Sequence, residues 1–237
     1  MIITALQFTT IPNDYQANLN RLIALIQSHD QSDIIVAPEV ALTGFDYDRF
    51  EEAAAFYDEA INTLRAFIGE QLLVVSLIKA TPDGIVNCAI AMHNHQLIYS
   101  QNKAKLFRLG DEHRYFLEGS TQHITKFQLG TLTFGILICF ELRFKELWQK
   151  LEGCDIIFIP AQWGNPRKAH LETLSRALAI INQCFVVVAN AANDDMARSS
   201  AIISPNGDTL MNDRLQAIST KIDLHEIKKM RRYIDIR

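Results

Sequence analysis

Short runs of apolar, often β-branched residues recur along the chain and predict strands. Runs of four to eight such residues are typical of strands, and runs that are apolar throughout are typical of strands buried on both faces. The predicted strands cover residues 2–8, 33–37, 72–79, 86–93, 96–100, 131–138, 155–159, 184–190, 201–203 and 217–222.

Segments with a helical period lie between some of these strands. Residues 14–29 carry apolar side chains at helical spacing and begin at a capping residue, Asn13 or Asp14. The same kind of pattern predicts helices over 50–70, 144–151 and 168–183.

The order of these elements indicates the fold class. Strands 72–79, 86–93 and 96–100 are separated only by turn residues, which indicates antiparallel neighbours. Elsewhere strands and helices occupy separate stretches. This mixture favours one of two α/β folds. It is more typical of two packed sheets that are covered by helices than of a single doubly wound sheet. No linker or repeat stands out, so we predict one domain over residues 1–237.

The composition is that of an ordinary soluble protein, with 49% hydrophobic and 21% charged residues. The formal net charge of −4 gives the surface no general attraction for nucleic acid or anionic lipid, so neither is an expected partner. The N-terminus lacks the basic region of a signal peptide, and the longest apolar stretch, 177–192, is too short and too polar to span a bilayer. We therefore expect a cytoplasmic protein.

The cysteines lie far apart, without a Cys-x-x-Cys pair or a nearby histidine cluster. They are Cys88, Cys139, Cys154 and Cys184. This spacing argues against a zinc site and against a disulfide framework, so reduced thiols and no bound metal are expected.

Cys139 ends an apolar strand shortly before a predicted helix. A cysteine in such a turn lies near backbone N–H groups and the positive end of a helix, which lower the pKa of a thiol and stabilise an oxyanion. The alternative is a buried cysteine that completes a core strand.

Glu39 also follows a buried strand, and functional side chains gather at the carboxyl ends of strands. A solvated loop glutamate is the alternative, although the apolar neighbours of Glu39 make an unpaired charge costly there. Lys103 and Lys105 follow another strand, and the residues alone neither decide between them nor exclude that both are surface lysines.

In this order and spacing, the three segments resemble the nitrilase, or carbon–nitrogen hydrolase, superfamily. The family pattern has Pro-Glu-x-x-x-Thr-Gly-Phe/Tyr, Lys-x-His-Leu-Phe and Cys-Tyr/Trp/Phe-Asp/Glu-x-Arg-Phe. The matching segments are Pro38-Glu39-Val-Ala-Leu-Thr43-Gly44-Phe45, Lys103-Ala-Lys-Leu-Phe107 and Cys139-Phe-Glu-Leu-Arg-Phe144. The resemblance covers essentially the whole chain and implies a four-layer α-β-β-α sandwich.

The resemblance also implies the catalytic roles. Cys139 is the expected nucleophile and Glu39 the general base, while Lys103 and the backbone N–H of Phe140 are expected to hold the oxyanion. Glu112 resembles the additional glutamate that many members place against the lysine. Such an enzyme hydrolyses an amide through a thioester and requires no metal or organic cofactor.

The chain departs from the family pattern at three places. Lys105 replaces the usual histidine and is expected to put a second positive charge beside the site. Glu141 replaces a common aspartate and is expected not to touch the catalytic residues. Leu178 and Ile181 replace a frequent arginine and glutamate on one helical face, which we interpret as a structural exchange.

The stretch 103–113 is similar to the ω-amidase branch, which deamidates small 2-oxo dicarboxylate monoamides such as 2-oxoglutaramate and 2-oxosuccinamate. A substrate carboxylate calls for a cation with fork geometry. The candidates are Arg108, Arg143 and Arg167, although Arg143 could instead pair with Glu141. The expected apolar wall is aromatic: Phe45, Tyr115, Phe116 and Trp163.

Other functions stay open from the sequence. They are another C–N hydrolase, such as an N-carbamoyl amide amidohydrolase, a catalytically silent binding protein, and a papain-like enzyme, for which no histidine lies in a comparable context. The resemblance further implies a homodimer or higher homo-oligomer through the helix over 168–183 and the C-terminal segment. The basic amphipathic segment 223–232 is either part of that contact or a solvated surface helix.

Overall fold

The structure, a computed structural model, describes residues 1–235, which form two six-stranded sheets and six α-helices. The strands are β1 (Ile2–Leu6), β2 (Ile34–Val36), β3 (Leu72–Thr81), β4 (Gly84–His93), β5 (Gln96–Asn102), β6 (Phe127–Leu129), β7 (Leu132–Ile136), β8 (Ile156–Ala161), β9 (Phe185–Asn190), β10 (Ala201–Ile203), β11 (Thr209–Met211) and β12 (Ala217–Lys221). The helices are α1 (Tyr15–Ser28), α2 (Phe50–Phe67), α3 (Glu112–Tyr115), α4 (Lys145–Lys150), α5 (Lys168–Asn182) and α6 (His225–Tyr233).

The first sheet has the strand order β12-β1-β2-β3-β4-β5, and the second has the order β11-β10-β9-β8-β7-β6. Strands β1, β2 and β3 are parallel, as are β7, β8 and β9. The predicted antiparallel succession of β3, β4 and β5 is confirmed. Because β5 therefore runs in the direction of β2, their carboxyl ends lie at the same edge of the sheet.

The inner strands of the first sheet, β1 to β4, are buried on both faces over most of their length, whereas the edge strands β5 and β12 are largely exposed. Successive side chains point to opposite sides, so Ile34 and Val36 enter the core between the two sheets, whereas Ile35 packs in the core beneath α1 and α2. The second sheet packs α4 and α5 on its outer face. The expected four-layer α-β-β-α arrangement is confirmed, and it explains why these strands are apolar without interruption.

Helix α1 shows how the outer layer is attached. Asp14 is the cap, since its side chain accepts the N–H of Ala17 at 3.0 Å. Leu19 and Leu22 are fully buried against the first sheet. Burying one such side chain contributes about 1.5–3 kcal/mol, so the apolar stripe outweighs the cap, which contributes about 0.5–2 kcal/mol.

The sequence pattern does not predict the edge strands β6 and β11, because each is only three residues long and neither contains a continuous run of β-branched apolar residues. The amphipathic tail does form a helix, α6, with Ile227 buried and Arg231 paired with Asp155. Among residues 1–235, no helix combines the length and the apolarity needed to cross a membrane.

Candidate active site

The predicted catalytic residues converge where strands from both sheets end. Glu39 follows β2, Lys103 follows β5 and Cys139 follows β7. The Lys103 Nζ atom donates to Glu39 Oε1 at 2.7 Å and to Glu112 Oε1 at 2.7 Å. Glu39 and Lys103 are fully buried, and Glu112 and Cys139 are nearly so. The structure thus brings all four residues into one cluster.

Both sheets hold Glu39. Its Oε1 atom also accepts the side-chain amide of Asn87 at 2.8 Å, while Oε2 has no hydrogen-bond partner among residues 1–235. Its backbone N–H donates to Ala161 O at 3.4 Å, and its carbonyl accepts Gln162 Nε2 at 2.9 Å. One carboxylate oxygen is therefore fixed by two donors, and the other is not.

Lys103 carries its charge despite complete burial. Burial opposes the ammonium, but the carboxylates of Glu39 and Glu112 outweigh it and raise the pKa of Lys103 above its ordinary value. Burial raises the pKa of Glu112, with Lys103 acting in the opposite direction and Glu39 adding to the rise. Lys103 therefore stays a cation and is suited to stabilising an oxyanion.

Cys139 adopts a left-handed backbone conformation with φ of 51°, which is uncommon for a residue other than glycine. Burial raises the pKa of its thiol well above the ordinary value; Glu39, which also interacts directly with the thiol, adds to the rise, and Lys103 opposes it. The expectation of a lowered pKa is therefore wrong, because burial and the carboxylates of Glu39 and Glu112 outweigh the lowering effect of Lys103. These effects favour the protonated thiol.

A cleft of about 1010 Å³ opens over Glu39 and Cys139. Phe45, Tyr47 and Tyr115 line it, and the rings of the two tyrosines stack with centroids 4.0 Å apart. Phe116 does not line the cleft; it is buried and meets Phe45 edge to face. Of the four predicted wall residues, Phe45 and Tyr115 line this cleft, Trp163 lines the neighbouring pocket and Phe116 lines neither; Tyr47 lines the cleft without having been predicted.

A side pocket of about 20 Å³ adjoins Cys139. This pocket has room for one small polar group. Its lining includes Cys139, Phe140, Arg143, Trp163 and Arg167. The Arg143 guanidinium lies 4.7 Å from the ring centroid of Trp163, and that of Arg167 lies 5.1 Å from the Phe107 centroid. Both cations are held by aromatic faces beside the sulfur.

Arg143 has no carboxylate partner in the part of the chain that the structure describes. None of the ion pairs among residues 1–235 involves Arg143 or Arg167. Burial lowers the pKa of Arg143, and Arg167 lowers it further. Arg143 donates to His170 Nδ1 at 2.8 Å, so the alternative that it pairs with Glu141 is wrong. Arg108 is exposed and lines neither pocket, which removes it as a substrate ligand.

Lys105 does not join the cluster. Its Nζ atom lies 3.8 Å from Glu146 and 4.9 Å from the Phe144 ring centroid. The positive charge that was expected beside the site is therefore that of Lys105, and it lies next to Glu146 of α4 rather than next to a catalytic group.

Sequence reasoning assigned no place in the site to Tyr47, Asn87, Gln162 and His170, and it expected Glu141 not to touch the catalytic residues. Asn87 had a usable signal, since it is the polar member of the inward-facing register of β4 with Ala89 and Ala91. The others come into place only through tertiary contacts.

Gly119 lies against the strand end that carries Lys103. Its N–H donates to the Lys103 carbonyl at 2.8 Å. A Cβ atom at this position would lie 2.5 Å from the carbonyl oxygen of Asn102, so only glycine fits without moving the backbone.

No group of three or more His, Cys, Asp and Glu side chains within residues 1–235 is arranged to hold a metal ion.

Comparison with known proteins identifies the family. The family model named carbon-nitrogen hydrolase matches residues 2–232. The chain belongs to this family and is a hydrolase that acts on carbon–nitrogen bonds, as its motifs indicate.

Individual relatives agree with this assignment. A 2-oxoglutaramate amidase of Bacillus subtilis (strain 168) is 30% identical over 251 residues, which cover 99% of this chain and 95% of the relative. The ω-amidase YafV of Yersinia enterocolitica is 32% identical over 197 residues, with 81% and 75% covered. Saccharomyces cerevisiae Nit3, a member of branch 10 of the nitrilase superfamily, shares the fold with a TM-score of 0.82 at 20% identity and covers 100% of this chain and 94% of its own.

Proposed function

We propose that the chain is a cysteine-dependent amidase that hydrolyses a small carboxylate-bearing amide to an acid and ammonia, as ω-amidases do. The observation that supports this substrate class is the pair of arginines in the pocket beside Cys139, Arg143 and Arg167, neither of which has a carboxylate partner within residues 1–235. The two charges repel each other, since Arg167 lowers the pKa of Arg143, and a substrate carboxylate would relieve that repulsion through a bidentate contact. Relatives named 2-oxoglutaramate amidase and ω-amidase support the same class.

In the first half of the proposed reaction, Glu39 takes the proton of the Cys139 thiol as the sulfur attacks the amide carbon. The raised pKa of the thiol makes this coupled transfer necessary, because few thiolates exist beforehand. The Lys103 ammonium and the N–H of Phe140 hold the oxyanion that forms on the amide oxygen.

In the second half, the protonated Glu39 gives its proton to the departing nitrogen, which leaves as ammonia, and a thioester remains on Cys139. Glu39 then takes a proton from water, whose oxygen attacks the thioester carbon. Collapse of this intermediate breaks the carbon–sulfur bond, releases the acid and returns the proton from Glu39 to sulfur. Lys103 keeps its proton throughout.

An amide panel tests the substrate class. Ammonia release is measured with 2-oxoglutaramate, 2-oxosuccinamate, uncharged pentanamide and an N-carbamoyl amino acid. We expect kcat/KM to be highest for one of the two oxo acids. Turnover of the N-carbamoyl compound alone would reject the ω-amidase proposal in favour of an N-carbamoyl amide amidohydrolase, and no turnover of any amide would favour a silent binding protein.

Arginine variants test the carboxylate contact directly. In Arg143→Lys and Arg167→Lys the charge stays but the fork is lost. We expect KM for the oxo acid to rise about 10–100-fold, which corresponds to the roughly 1.5–3 kcal/mol of a hydrogen bond to a charged group. KM for pentanamide serves as the control and should stay unchanged; an equal rise for both substrates would show that the arginines only support the fold.

We also propose that the protein is a single domain that forms a homodimer through α5 and α6. Ile180 and Ile181 on α5 are 45% and 53% exposed, and Tyr233 at the end of α6 is 73% exposed. Gln183 bonds the carbonyl of Ile234, which joins the two helix ends. Sedimentation velocity should show a dimer that Ile181→Lys dissociates. The cytoplasmic location stays a prediction.

A further inference from the structure

Glu141 joins the two halves of the site through backbone contacts. Its side chain is fully buried, with Oε1 accepting the N–H of Ala104 at 2.6 Å and Oε2 accepting the N–H of Ile138 at 2.7 Å. Ala104 directly follows Lys103, and Ile138 directly precedes Cys139. One carboxylate thus ties the strand end of the first sheet to the strand end of the second.

This geometry requires a carboxylate. Both oxygens accept an N–H, which an ionised carboxylate does and an amide does not, because the amide nitrogen would face one of the two donors. Hydrogen bonds to an ionised group are about twice as strong as neutral ones. Aspartate, one methylene shorter, keeps two acceptors, whereas glutamine keeps the volume and loses one acceptor.

We propose that Glu141 is a positioning residue for the amidase reaction, which holds the Lys103 ammonium and the Cys139 sulfur at their working separation through the two adjoining backbones. This inference rests on the proposed roles of Lys103 and Cys139. A displacement of about 1 Å between reacting groups costs on the order of 100-fold in rate, so a brace that spans both sheets has a direct effect on turnover.

Protonation of Glu141 would break this brace. Burial raises its pKa to about 7, against the lowering effect of its two N–H donors and of Lys103, and Glu39 adds to the rise. The titratable groups that face it are Lys103 and Tyr99 from the β5 side, Glu39 from the β2 end and Cys139 on its own turn. A protonated carboxyl group turns its O–H against one N–H, so activity should rise as pH increases through about 7.

Stability should change in the opposite direction. The folded-state pKa of Glu141 lies above its unfolded value, so the protonated form stabilises the fold at low pH, and that contribution is lost as pH rises through about 7. Activity is therefore gained over the same range in which stability is lost, which a residue with a purely structural role would not produce.

The test compares Glu141→Gln with Glu141→Asp at several pH values. Measured quantities are kcat, KM, the rate of Cys139 alkylation by iodoacetamide and the thermal midpoint. We expect E141Q to lose roughly 100-fold in kcat with little change in KM, and to lack the rise of activity near pH 7. E141D should retain more activity than E141Q, because it keeps both acceptors.

Asp155→Asn is the matched control. Asp155 also accepts a backbone N–H, that of Thr133, and pairs with Arg231, but it lies at the other end of the second sheet. D155N should lose stability and keep wild-type kcat.

Three results would overturn the inference: kcat of E141Q within twofold of wild type, E141D less active than E141Q, or an equal loss of kcat in D155N. If E141Q does not fold, E141D and the wild-type pH profile carry the test. Turnover by Cys139→Ala would instead refute the proposed function, whatever Glu141 does.

Discussion

The turns that follow β2 and β7 each carry a predicted catalytic side chain, Glu39 or Cys139, but different hydrogen bonds hold their backbones. Each contains a left-handed residue other than glycine, Val40 with φ of 40° after β2 and Cys139 with φ of 51° after β7. Such a conformation costs roughly 1–3 kcal/mol and persists only when neighbours hold it. The N–H of Val40 donates to the Ser76 hydroxyl at 2.9 Å, whereas the β7 turn is held by the Glu141 carboxylate.

The difference reflects how each functional side chain is fixed. The Glu39 carboxylate is held directly by Lys103 and Asn87, so its backbone needs only a neutral brace. The Cys139 thiol is a weak hydrogen-bonding group, and its position depends almost wholly on its backbone. A nucleophile of this kind calls for the stronger, ionic support.

The largest effect is expected when the β7 turn loses its functional side chain. Cys139→Ala should lower kcat by at least about 10³-fold, because no thioester can form. Ammonia release measures this loss, and intact-mass analysis should detect an acyl adduct in the wild type alone. Cys184→Ala is the control, since Cys184 is a buried thiol of the same sheet outside the cluster. Unchanged turnover in C139A would remove Cys139 as nucleophile.

Glu39→Gln should have opposite effects on catalysis and on the Cys139 thiol, since turnover should fall while the thiol becomes easier to deprotonate. Loss of the general base should lower kcat by about 10²–10⁴-fold. At the same time the pKa of the Cys139 thiol should fall, because Glu39 is one cause of its rise. The pH dependence of iodoacetamide alkylation measures this shift. A thiol pKa that stays the same or rises in E39Q would contradict the arrangement described.

A smaller effect is expected at the neutral brace. Ser76→Ala leaves the Val40 N–H buried without a partner and should lower the free energy of unfolding by about 1–3 kcal/mol. Its kcat should exceed that of E141Q, and urea denaturation with parallel assays measures both. Ser175→Ala is the matched control, because that buried hydroxyl has no hydrogen-bond partner within residues 1–235. A kcat of S76A below that of E141Q would reverse the ranking of the two braces.

Lys105→Ala should have the smallest effect. The Lys105 and Glu146 side chains are 27% and 53% exposed, and exposed pairs contribute about 0.2–1 kcal/mol. We expect kcat and its pH profile to match the wild type. A shifted pH profile would show that this charge acts on the catalytic cluster.

The arrangement of the strands could be predicted where local signals suffice. The turn at Pro82-Asp83-Gly84 indicates the pairing of β3 with β4, and Thr81 opposite Gly84 extends that pairing beyond the predicted end. Helix α2 ends at Phe67, before the predicted residue 70, because Ile68 is extended and buried. Tertiary burial overrides periodicity at such ends.

The residues of the site also differ in whether local sequence signals or only tertiary contacts reveal them. Strand-end placement and motif together point to Glu39 and Cys139, but the raised pKa of the thiol depends on its burial and on carboxylates from other segments, which the local sequence does not show. Lys103 and Lys105 both lie beyond the end of β5, so no local pattern separates them; the tertiary structure does, since Lys103 is fully buried and the Lys105 side chain is 27% exposed. Glu141 is equally hidden, since its two partners are backbone groups of separate segments.

The close approach of Gly119 to the chain at Lys103 also bears on natural variation. An alanine there would push apart the two backbone segments that position the Lys103 ammonium, although no motif residue would change in identity. A homologous protein with this substitution would therefore be inactive while it still contained Glu39, Lys103 and Cys139. Position 119 has to be read beside them before such a protein is taken to be a working enzyme.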